Sequence, residues 1–507
     1  MFQRTTAAMT CVAALAALLA ACRGLAVDVA HASPTSSASS GSSDGCLAFA
    51  MPDASVLFGS PKKVFAHYFY PFPLSVGNKT ASDDYYNANY LLPTGESGKW
   101  SSQGGYLRQR PLPVDVGSAA DFQLANVERE VRLAIARGIT GFTIDVMSGK
   151  EASDPKSHLH MLLTAAQNVD SRFKIVVMPD ISALKGDSAS VIQIIAAAAA
   201  SPAGYRLADG RLVVTAFNAG LNTPDWWSAV FSQLKSRGIN VAFVPTFLGW
   251  GKQADAFAAI SHGFSDWGAA TASSAEGSKR DVEAAHAKYG KIYMLPVDPQ
   301  QYRPKGSIYW EAGNSAAFRN SWQSAIDGNA EWVQIVTWSD FSESSEIEPY
   351  TDATLRRDIG TGYYDLNAYY ATWFLTGKPP AITHDVLYYF YRREPTNAAS
   401  PSQQMPNKIV NGSPDDNIEM LAFLTAPGVL KITINGHSFT QQAPAGVTSF
   451  KIPTQPGTPT FSVSRSGADV MSFEAPVRIY GPEGLPSGVI DMTYWSGSGS
   501  RNGVCTL

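Results

Sequence analysis

The chain has 507 residues, of which 45% are apolar and 16% are charged. It is therefore long enough for two folded domains with large cores. The formal net charge is -4 and no long basic run occurs, so the chain lacks the charge pattern of a nucleic-acid-binding protein. Aromatic residues make up 11%, which permits sugar binding by ring stacking without requiring it.

The first 22 residues have the features of an export signal. Arg4 supplies the positive charge, and residues 7–21 form an Ala-rich apolar stretch that is short for a membrane span. The leader ends in LAAC at residues 19–22, which resembles the lipobox of bacterial lipoproteins. We predict lipidation at Cys22, with the chain anchored at the cell surface or the periplasmic face of a membrane, or released from it. The alternative is an ordinary secretory peptide.

Residues 23–45 are small and polar, with many serines, and are predicted to form a disordered tether. Cys46 follows this tether, and Cys505 lies near the other end of the chain. In an oxidising compartment these two cysteines could form a disulfide, and the alternative is two unpaired buried thiols. The eight histidines are scattered without a ligand-like spacing, so we predict no metal and no cofactor. The oligomeric state is not readable from the sequence.

From Lys63 to Gly377, apolar runs of strand length alternate with helical patterns. Several of the runs are apolar throughout, which is typical of strands that are buried on both faces of a sheet. The predicted strands are Val64–Tyr70, Gly141–Val146, Lys174–Pro179, Arg211–Phe217, Asn240–Thr246, Gly263–Trp267, Lys291–Pro296 and Trp332–Trp338.

Between the strands, Leu124, Val127, Val131 and Ala134 recur at helical spacing, and similar patterns follow. Eight strand–helix repeats predict an α/β fold, a (β/α)8 TIM barrel over residues 46–378. A doubly wound open sheet is the alternative, but its Gly-rich phosphate turn is missing after the first strand. The other predicted helices are Leu159–Val169, Ser188–Ala200, Trp226–Arg237, Asp281–Tyr289, Ala316–Ile326 and Tyr363–Leu375.

From about Pro379 the helical periodicity disappears, and short β-rich runs are separated by turn residues. This pattern predicts a C-terminal antiparallel β-sandwich over residues 379–507. It could bind glycan or buttress the barrel, and we favour the structural role. The predicted strands are Val386–Tyr391, Ile418–Leu424, Val429–Ile434, Thr448–Ile452, Thr460–Arg465 and Val477–Tyr480.

Polar residues at the strand ends are the candidates for chemistry, because barrel active sites lie at the C-terminal ends of the strands. Several carboxylates at one mouth would suit glycosidic hydrolysis, in which one carboxyl acts as acid and another as base or nucleophile. Asp340 and Glu343 are three residues apart and can share a pocket if their loop turns; alternatively, one of them caps a helix. The strand-end residues are His67, Asp145, Asp180, Asn218, Asp298, Asp340 and Glu343.

Residues 332–344, WVQIVTWSDFSES, resemble the eighth-strand signature of glycoside hydrolase family 71, the α-1,3-glucanases or mutanases, whose usual form is TWND-[YF]-GES. Four further stretches resemble family motifs in the same order, and the similarity extends to about Glu394. These stretches are VFAHYF (64–69), GITGFTID (138–145), FKIVVMPD (173–180) and YMLPV (293–297).

The resemblance implies that Asp340 and Glu343 are the catalytic pair of an inverting hydrolase that cleaves α-1,3-glucan. As a working assignment, Glu343 is the acid and Asp340 the base, although the sequence does not fix which is which. Asp145 and Asp180 would bind sugar hydroxyls or tune the pair, Asn218 is a further substrate-binding candidate, and His67 and Trp338 would line the −1 subsite. Ordinary packing or structural hydrogen bonding is the alternative for these residues.

The chain departs from the family pattern in several places. Ser342 replaces the Gly of GES, Ser339 replaces Asn, and Thr140 and Asp145 replace an acid and an Asn. The first βα connection, residues 71–116, is long and aromatic, and could form sugar-stacking subsites or a lid. Its aromatic residues include Tyr85, Tyr86, Tyr90, Trp100 and Tyr106.

Two other functions remain open. One is a non-catalytic, cell-surface carbohydrate-binding lipoprotein, which would not need the Asp340 and Glu343 pair. The other is a hydrolase or transglycosidase that acts on a different α-linked polysaccharide. In each case we expect a polysaccharide partner and a membrane contact through the lipid anchor.

Overall fold

The strands of this protein are formed mainly by runs of β-branched and aromatic residues. The structure is a computed structural model, and it describes residues 46–70, 94–112, 122–268, 270–352, 358–400, 403–485 and 488–507. The predicted leader, the lipidation site at Cys22 and the 23–45 tether lie outside these residues, as do Tyr85, Tyr86 and Tyr90. Residues Ser43–Leu507 group as one compact unit.

The strands of the first part are β1 Lys63–Tyr68, β2 Gln109–Pro111, β3 Gly141–Val146, β4 Lys174–Pro179, β5 Leu212–Val214, β6 Val241–Phe243, β7 Thr246–Phe247, β8 Gly263–Asp266, β9 Ile292–Val297, β10 Gln301–Arg303, β11 Ile308–Trp310, β12 Trp332–Ile335, β13 Tyr350–Asp352 and β14 Ile359–Gly360. Those of the second part are β15 Val386–Arg392, β16 Lys408–Asn411, β17 Asn417–Leu424, β18 Gly428–Ile434, β19 His437–Ala443, β20 Gly446–Pro453, β21 Thr460–Arg465, β22 Ala468–Glu474, β23 Tyr494–Ser500 and β24 Gly503–Val504.

The α-helices are Ala54–Phe58, Gly95–Gly98, Phe122–Ile135, Lys150–Ser153, His158–Val169, Ile181–Leu184, Ser188–Ala200, Pro224–Ser236, Ala254–Phe257, Ala272–Gly277, Lys279–Ala284, Ala316–Asp327 and Gly362–Thr376. The predicted helix Asp281–Tyr289 is a short α-helix followed by a π-helical turn, Ala285–Tyr289. Within the described ranges, no helix is both long enough and apolar enough to cross a membrane.

Nine parallel segments form a curled sheet in the order β6-β5-β4-β3-β1-β12-β9-β8-β7, and helices connect most of the strands that follow one another in the chain. Its two edge segments, β6 and β7, are separated in the chain by only Val244 and Pro245. Val244 N donates to Val214 O of β5 (2.9 Å), and Pro245 O accepts from Ser265 N of β8 (2.9 Å). The chain between β6 and β7 therefore bonds to both neighbouring strands.

Alternation along the strands sorts the side chains between two sides of the sheet. Phe65 belongs to a small cluster with Val176 and Val213, whereas Val64 and Ile144 belong to the large core that packs against the helices. The strand residues are buried on both sides, which explains why their sequences are apolar throughout.

Two antiparallel sheets form the C-terminal part, ordered β20-β17-β15-β23-β24 and β19-β18-β21-β22. Tyr389 of the first sheet and Phe461 of the second share one core cluster, with ring centroids 5.4 Å apart. The predicted strand Val477–Tyr480 was wrong: this segment makes one isolated bridge, between Ile479 and Gly457. Pro476 and Pro482 flank it, and prolines cannot donate to a ladder.

Two further links join distant parts of the chain. Cys46 and Cys505 form a disulfide, with their Cα atoms 5.6 Å apart. β2, in the long first connection, pairs with β13, in the connection after β12, and Tyr350 lies opposite Pro111. The described end of the first connection is therefore fixed beside the chain that leaves the last parallel strand.

Candidate active site

The turn after β12 carries Asp340 and Glu343. Thr337 N donates to Ser345 O (2.8 Å), and Thr337 O accepts from Ile347 N (3.0 Å), so the turn folds back on its own start. Thr337 Oγ1 accepts a further hydrogen bond from Asp340 N (2.8 Å). These contacts fix the backbone that presents both carboxylates.

The end of β1 packs against the same turn. Trp338 N donates to His67 O (2.8 Å). Ser339 Oγ donates to Phe69 O (3.0 Å) and accepts from Phe69 N (3.1 Å). Ser339, one of the departures from the family motif, thus joins the strand end to the turn by two hydrogen bonds, one that its hydroxyl donates and one that it accepts.

Asp340 is almost fully buried, with 5% of its surface exposed. Its Oδ1 accepts hydrogen bonds from Ser342 N (2.9 Å), Ser342 Oγ (2.6 Å) and Glu343 N (3.2 Å). Burial, and next the negative charge of Glu343, raise the pKa of Asp340 to about 7. The Asp340 carboxyl can therefore hold or release a proton near neutral pH.

Glu343 has a different environment, on the side of the β10–β11 hairpin. Arg303 Nη2 lies 2.8 Å from its Oε1, and the Gln301 amide donates to its Oε2. Tyr302 N donates to its backbone oxygen (2.8 Å). The side chain keeps 19% of its surface exposed. Glu343 thus contacts a cation and an amide donor and, unlike Asp340, is only partly buried.

Asp145 and Asp180 lie at the ends of neighbouring strands, β3 and β4, as predicted. Burial raises the pKa of Asp145 well above its usual range, with the charges of Asp180 and Asp340 adding to the effect. Asp180 Oδ1 accepts from Ser182 N (2.7 Å) at the start of a short helix, and burial raises its pKa. Asn218 Nδ2 donates to Ser182 Oγ (3.2 Å), which places it beside Asp180.

An aromatic group stands at the ends of β1, β5 and β8. The Trp267 ring lies edge-on to His67 and to Phe217, with centroids 4.7 Å apart in both pairs. Burial lowers the pKa of His67 to about 3, so the imidazole is neutral at working pH. Trp267 and Phe217 are half-buried, and their exposed surfaces can face a ligand.

Two of the strand-end candidates, Trp338 and Asp298, have side chains that are buried in the protein. Trp338 is fully buried and packs against Phe142 and Tyr364, with centroids 5.3 and 6.3 Å away, so its side chain lies in the core rather than in the cleft. Asp298 is buried beside Gly268, where a Cβ would lie 2.3 Å from its Oδ1. The prediction that Trp338 lines a sugar subsite is therefore not supported by its position.

The sequence reasoning missed Gln301, Arg303 and the role of Trp267. Gln301 and Arg303 alternate along β10, which places both side chains on the face that meets Glu343. Trp267 follows β8 directly, as an aromatic residue at a strand end, and this position was the available signal. The described residues contain no group of three or more potential ligands arranged to hold a metal ion.

Comparison with known proteins assigns the chain to a family. Glucan endo-1,3-alpha-glucosidase agn1 of Schizosaccharomyces pombe is 25% identical over 383 residues, which cover 71% of this chain and 88% of that protein. Mutanase Pc12g07500 of Penicillium rubens is 23% identical over 380 residues, which cover 70% of this chain and 82% of that protein.

Among solved structures, the GH99 endo-alpha-mannosidase from Bacteroides thetaiotaomicron has a TM-score of 0.46 and 16% identity, and the match covers 61% of this chain and 97% of that one. The sequence model of glycosyl hydrolase family 71 matches residues 114–503. The chain therefore belongs to glycosyl hydrolase family 71 and is a glycosidase.

Proposed function

We propose that this glycosidase hydrolyses α-1,3-glucosidic bonds in glucan, with Asp340 and Glu343 as its acid–base pair. The names of the two relatives and the family membership support the substrate. The observation that carries the proposal is the turn after β12, which holds one buried carboxyl with a pKa of about 7 beside a second carboxyl that is paired with Arg303. We also infer that β6 and β7 are one kinked strand, so that the sheet closes as the predicted eight-stranded barrel.

We assign the acid to Asp340 and the base to Glu343, the reverse of the working assignment made from the sequence. A general acid must be protonated before reaction, and the buried Asp340 retains a proton up to about neutral pH. A general base must be ionised, and Glu343 is the carboxylate of the pair that lies beside a cation, 2.8 Å from Arg303 Nη2. Environment rather than residue type thus separates the two roles.

In the proposed inverting reaction, Asp340 gives its proton to the glycosidic oxygen as the bond to C1 breaks. Glu343 accepts a proton from a water molecule that attacks C1 from the opposite face. Asp145, Asp180 and Asn218 would bind sugar hydroxyls near the strand ends, and the neutral His67 would line the −1 site. Trp267 would offer its ring to a sugar face.

The test is incubation of the purified full chain, kept in detergent, with insoluble α-1,3-glucan, and α-1,4- and β-1,3-glucans serve as controls. We expect reducing ends to appear from α-1,3-glucan alone, and NMR should show products of inverted anomeric configuration. D340N and E343Q should each lower kcat by about 100-fold to 10,000-fold, while the surface variant D225N should retain activity.

If the wild-type chain releases reducing ends from another α-glucan and not from α-1,3-glucan, the alternative hydrolase function is established. Products that retain the anomeric configuration would indicate a double-displacement mechanism and not inversion. Binding without release, unchanged in D340N and E343Q, would favour the carbohydrate-binding lipoprotein.

We further propose that the chain is exported and held at a membrane through lipid on Cys22, with residues 23–45 as the tether. The LAAC sequence at residues 19–22 supports this location. In a bacterial host, radiolabelled palmitate should enter the wild-type chain and be lost in C22S. Equal labelling of the two forms, or none in either, would contradict the anchor.

A further inference from the structure

Two large apolar side chains are exposed at the C-terminal ends of the parallel strands. Leu221 lies in the loop after β5 and is 59% exposed, and Leu248 follows β7 and is 57% exposed. A single exposed leucine is common at a protein surface, whereas neighbouring exposed apolar side chains often mark a binding site. The loops after parallel strands are also where α/β folds carry their functional residues. Both leucines therefore lie at the end of the sheet at which ligands bind.

The two loops that carry these leucines adjoin each other. Thr246 N of β7 donates to Ala216 O, two residues after β5 (3.2 Å). Further along, a Cβ added to Gly220 would lie 3.0 Å from Gln253 Cδ, in the chain after β7. The two exposed leucines are therefore carried by neighbouring parts of the same surface.

Hydrogen bonds hold the backbone of both loops. Asp266, at the end of β8, accepts from Gly249 N (2.8 Å) and Trp250 N (3.1 Å), which directly follow the leucine after β7. The Trp227 indole N–H donates to Ala219 O (3.1 Å), in the 3-10 turn that ends at the leucine after β5. Because a surface that is already ordered loses less entropy on binding, these loops are suited to hold a ligand.

The half-buried rings of the site lie on the same loops. Phe217 precedes Leu221 by four residues, and its ring centroid is 4.7 Å from that of Trp267. Trp267 N donates to the oxygen of Phe247, the residue before Leu248 (3.0 Å). The Trp267 ring also contacts the imidazole at the end of β1. Two leucines and two aromatic rings thus lie on three adjoining loops, next to the proposed −1 site.

We propose that Phe217, Leu221, Leu248 and Trp267, together called the apolar rim, bind the glucan chain beyond the sugar in the −1 site. This inference rests on the proposed hydrolysis at the same site. A pyranose ring carries its hydroxyls mainly at its edge, and its C–H groups make parts of its faces apolar. Aromatic and aliphatic side chains can therefore bind sugar rings by covering these faces.

The occupant of the rim follows from the residues beside it. Leu221 N donates to Asn218 O (3.1 Å), and Asn218 Nδ2 donates to Ser182 Oγ (3.2 Å), beside Asp180. The rim therefore continues the row of strand-end residues that we propose to bind sugar hydroxyls. A polysaccharide is longer than the one sugar that the catalytic carboxyls attack, and its next sugars are within reach of the rim.

The experiment measures binding without hydrolysis. L221Q, L248Q and the double variant are made in the full chain that also carries D340N, so that the glucan is not consumed. Glutamine is similar in size to leucine and has a polar end. The matched control is V56T in the same background, because Val56 is 54% exposed on the helix Ala54–Phe58, which leads into the N-terminal end of β1.

Depletion of each chain from solution by increasing amounts of insoluble α-1,3-glucan gives an apparent Kd. We expect the double variant to bind about tenfold more weakly than D340N alone, because two leucines no longer remove apolar surface from water. V56T should bind within about twofold of D340N alone, because exposed substitutions away from a site have small effects. Equal binding by the double variant and D340N alone would overturn the proposal, and so would the absence of binding by D340N.

A second measurement uses chains with an intact catalytic pair and soluble α-1,3-linked oligosaccharides of two lengths. The ratio of KM for the long oligosaccharide to KM for the short one should rise about tenfold in L221Q/L248Q and stay unchanged in V56T, because only the longer chain reaches the rim. An equal rise in KM for both lengths would contradict the proposal. If the wild-type chain releases no sugar from any glucan, the proposed function fails, and the binding curves of the D340N series still decide the role of the rim.

Discussion

Arg303 lies between Trp310 and Glu343: its guanidinium carbon is 5.0 Å from the Trp310 ring centroid, and its Nη2 is 2.8 Å from Glu343 Oε1. The contact with Trp310 orients the cation, and the ion pair joins Glu343, on the turn that also carries Asp340, to the β10–β11 hairpin. Arg303 is 40 residues away from Glu343 in the sequence, so only the fold brings the pair together.

We predict that R303M lowers kcat/KM on α-1,3-glucan about 10- to 100-fold, the range expected when a charged hydrogen-bond partner is removed. Methionine keeps much of the apolar contact with Trp310 and removes the charge. R172M is the control, because Arg172 pairs with Asp170 at the surface (2.6 Å), where ion pairs contribute little. Steady-state kinetics on both variants is the measurement, and equal activity of R303M and wild type would contradict the role.

The second prediction concerns pH. Because burial raises the pKa of Asp340 to about 7, this carboxyl is protonated below that pH and loses its proton as the pH rises through it. If Asp340 is the acid, kcat should fall about tenfold per pH unit on the alkaline side of pH 7. A profile of kcat against pH from 4 to 9 measures this, and full activity at pH 9 would require another acid.

Trp267 gives a prediction about binding. W267A should raise KM about tenfold, equivalent to 1.4 kcal/mol, and leave kcat largely unchanged, because stacking on a sugar face stabilises the bound substrate and the transition state alike. W373A is a suitable control, since Trp373 is a half-buried tryptophan on the outer helix Gly362–Thr376. A fall in kcat with unchanged KM would instead indicate a role in orienting His67.

The parallel strands were readable from the sequence because burial on both faces leaves a continuous apolar run. Gly141–Val146 and Lys174–Pro179 have the predicted bounds, and so does the helix Ser188–Ala200. In the C-terminal part, β23 was missed, since its sequence YWSGSGS is rich in Ser and Gly and carries little strand preference. Tertiary pairing with β15 forms that strand.

Site residues could be predicted from the sequence only where they lie at the end of a predicted strand. Asp145 and Asp180 lie at the ends of their own strands, whereas the partners of Glu343 come from a hairpin inserted after β9. Trp338 was predicted to line a sugar subsite, but its side chain packs in the core. A position near a strand end does not tell which side of the sheet a side chain occupies. Contacts between distant segments were the missing information.

The last prediction concerns the disulfide between Cys46 and Cys505, which are separated by 459 residues. A cross-link that closes a long loop lowers the entropy of the unfolded chain, and a native disulfide typically contributes about 2–4 kcal/mol. The double variant C46S/C505S should therefore unfold at lower temperature than the wild type in calorimetry. A reductant should lower the unfolding temperature of the wild-type chain and leave that of the double variant unchanged. An equal response of both forms would mean that the two cysteines are not linked in solution. The remaining cysteines, Cys11 and Cys22, lie in the predicted leader.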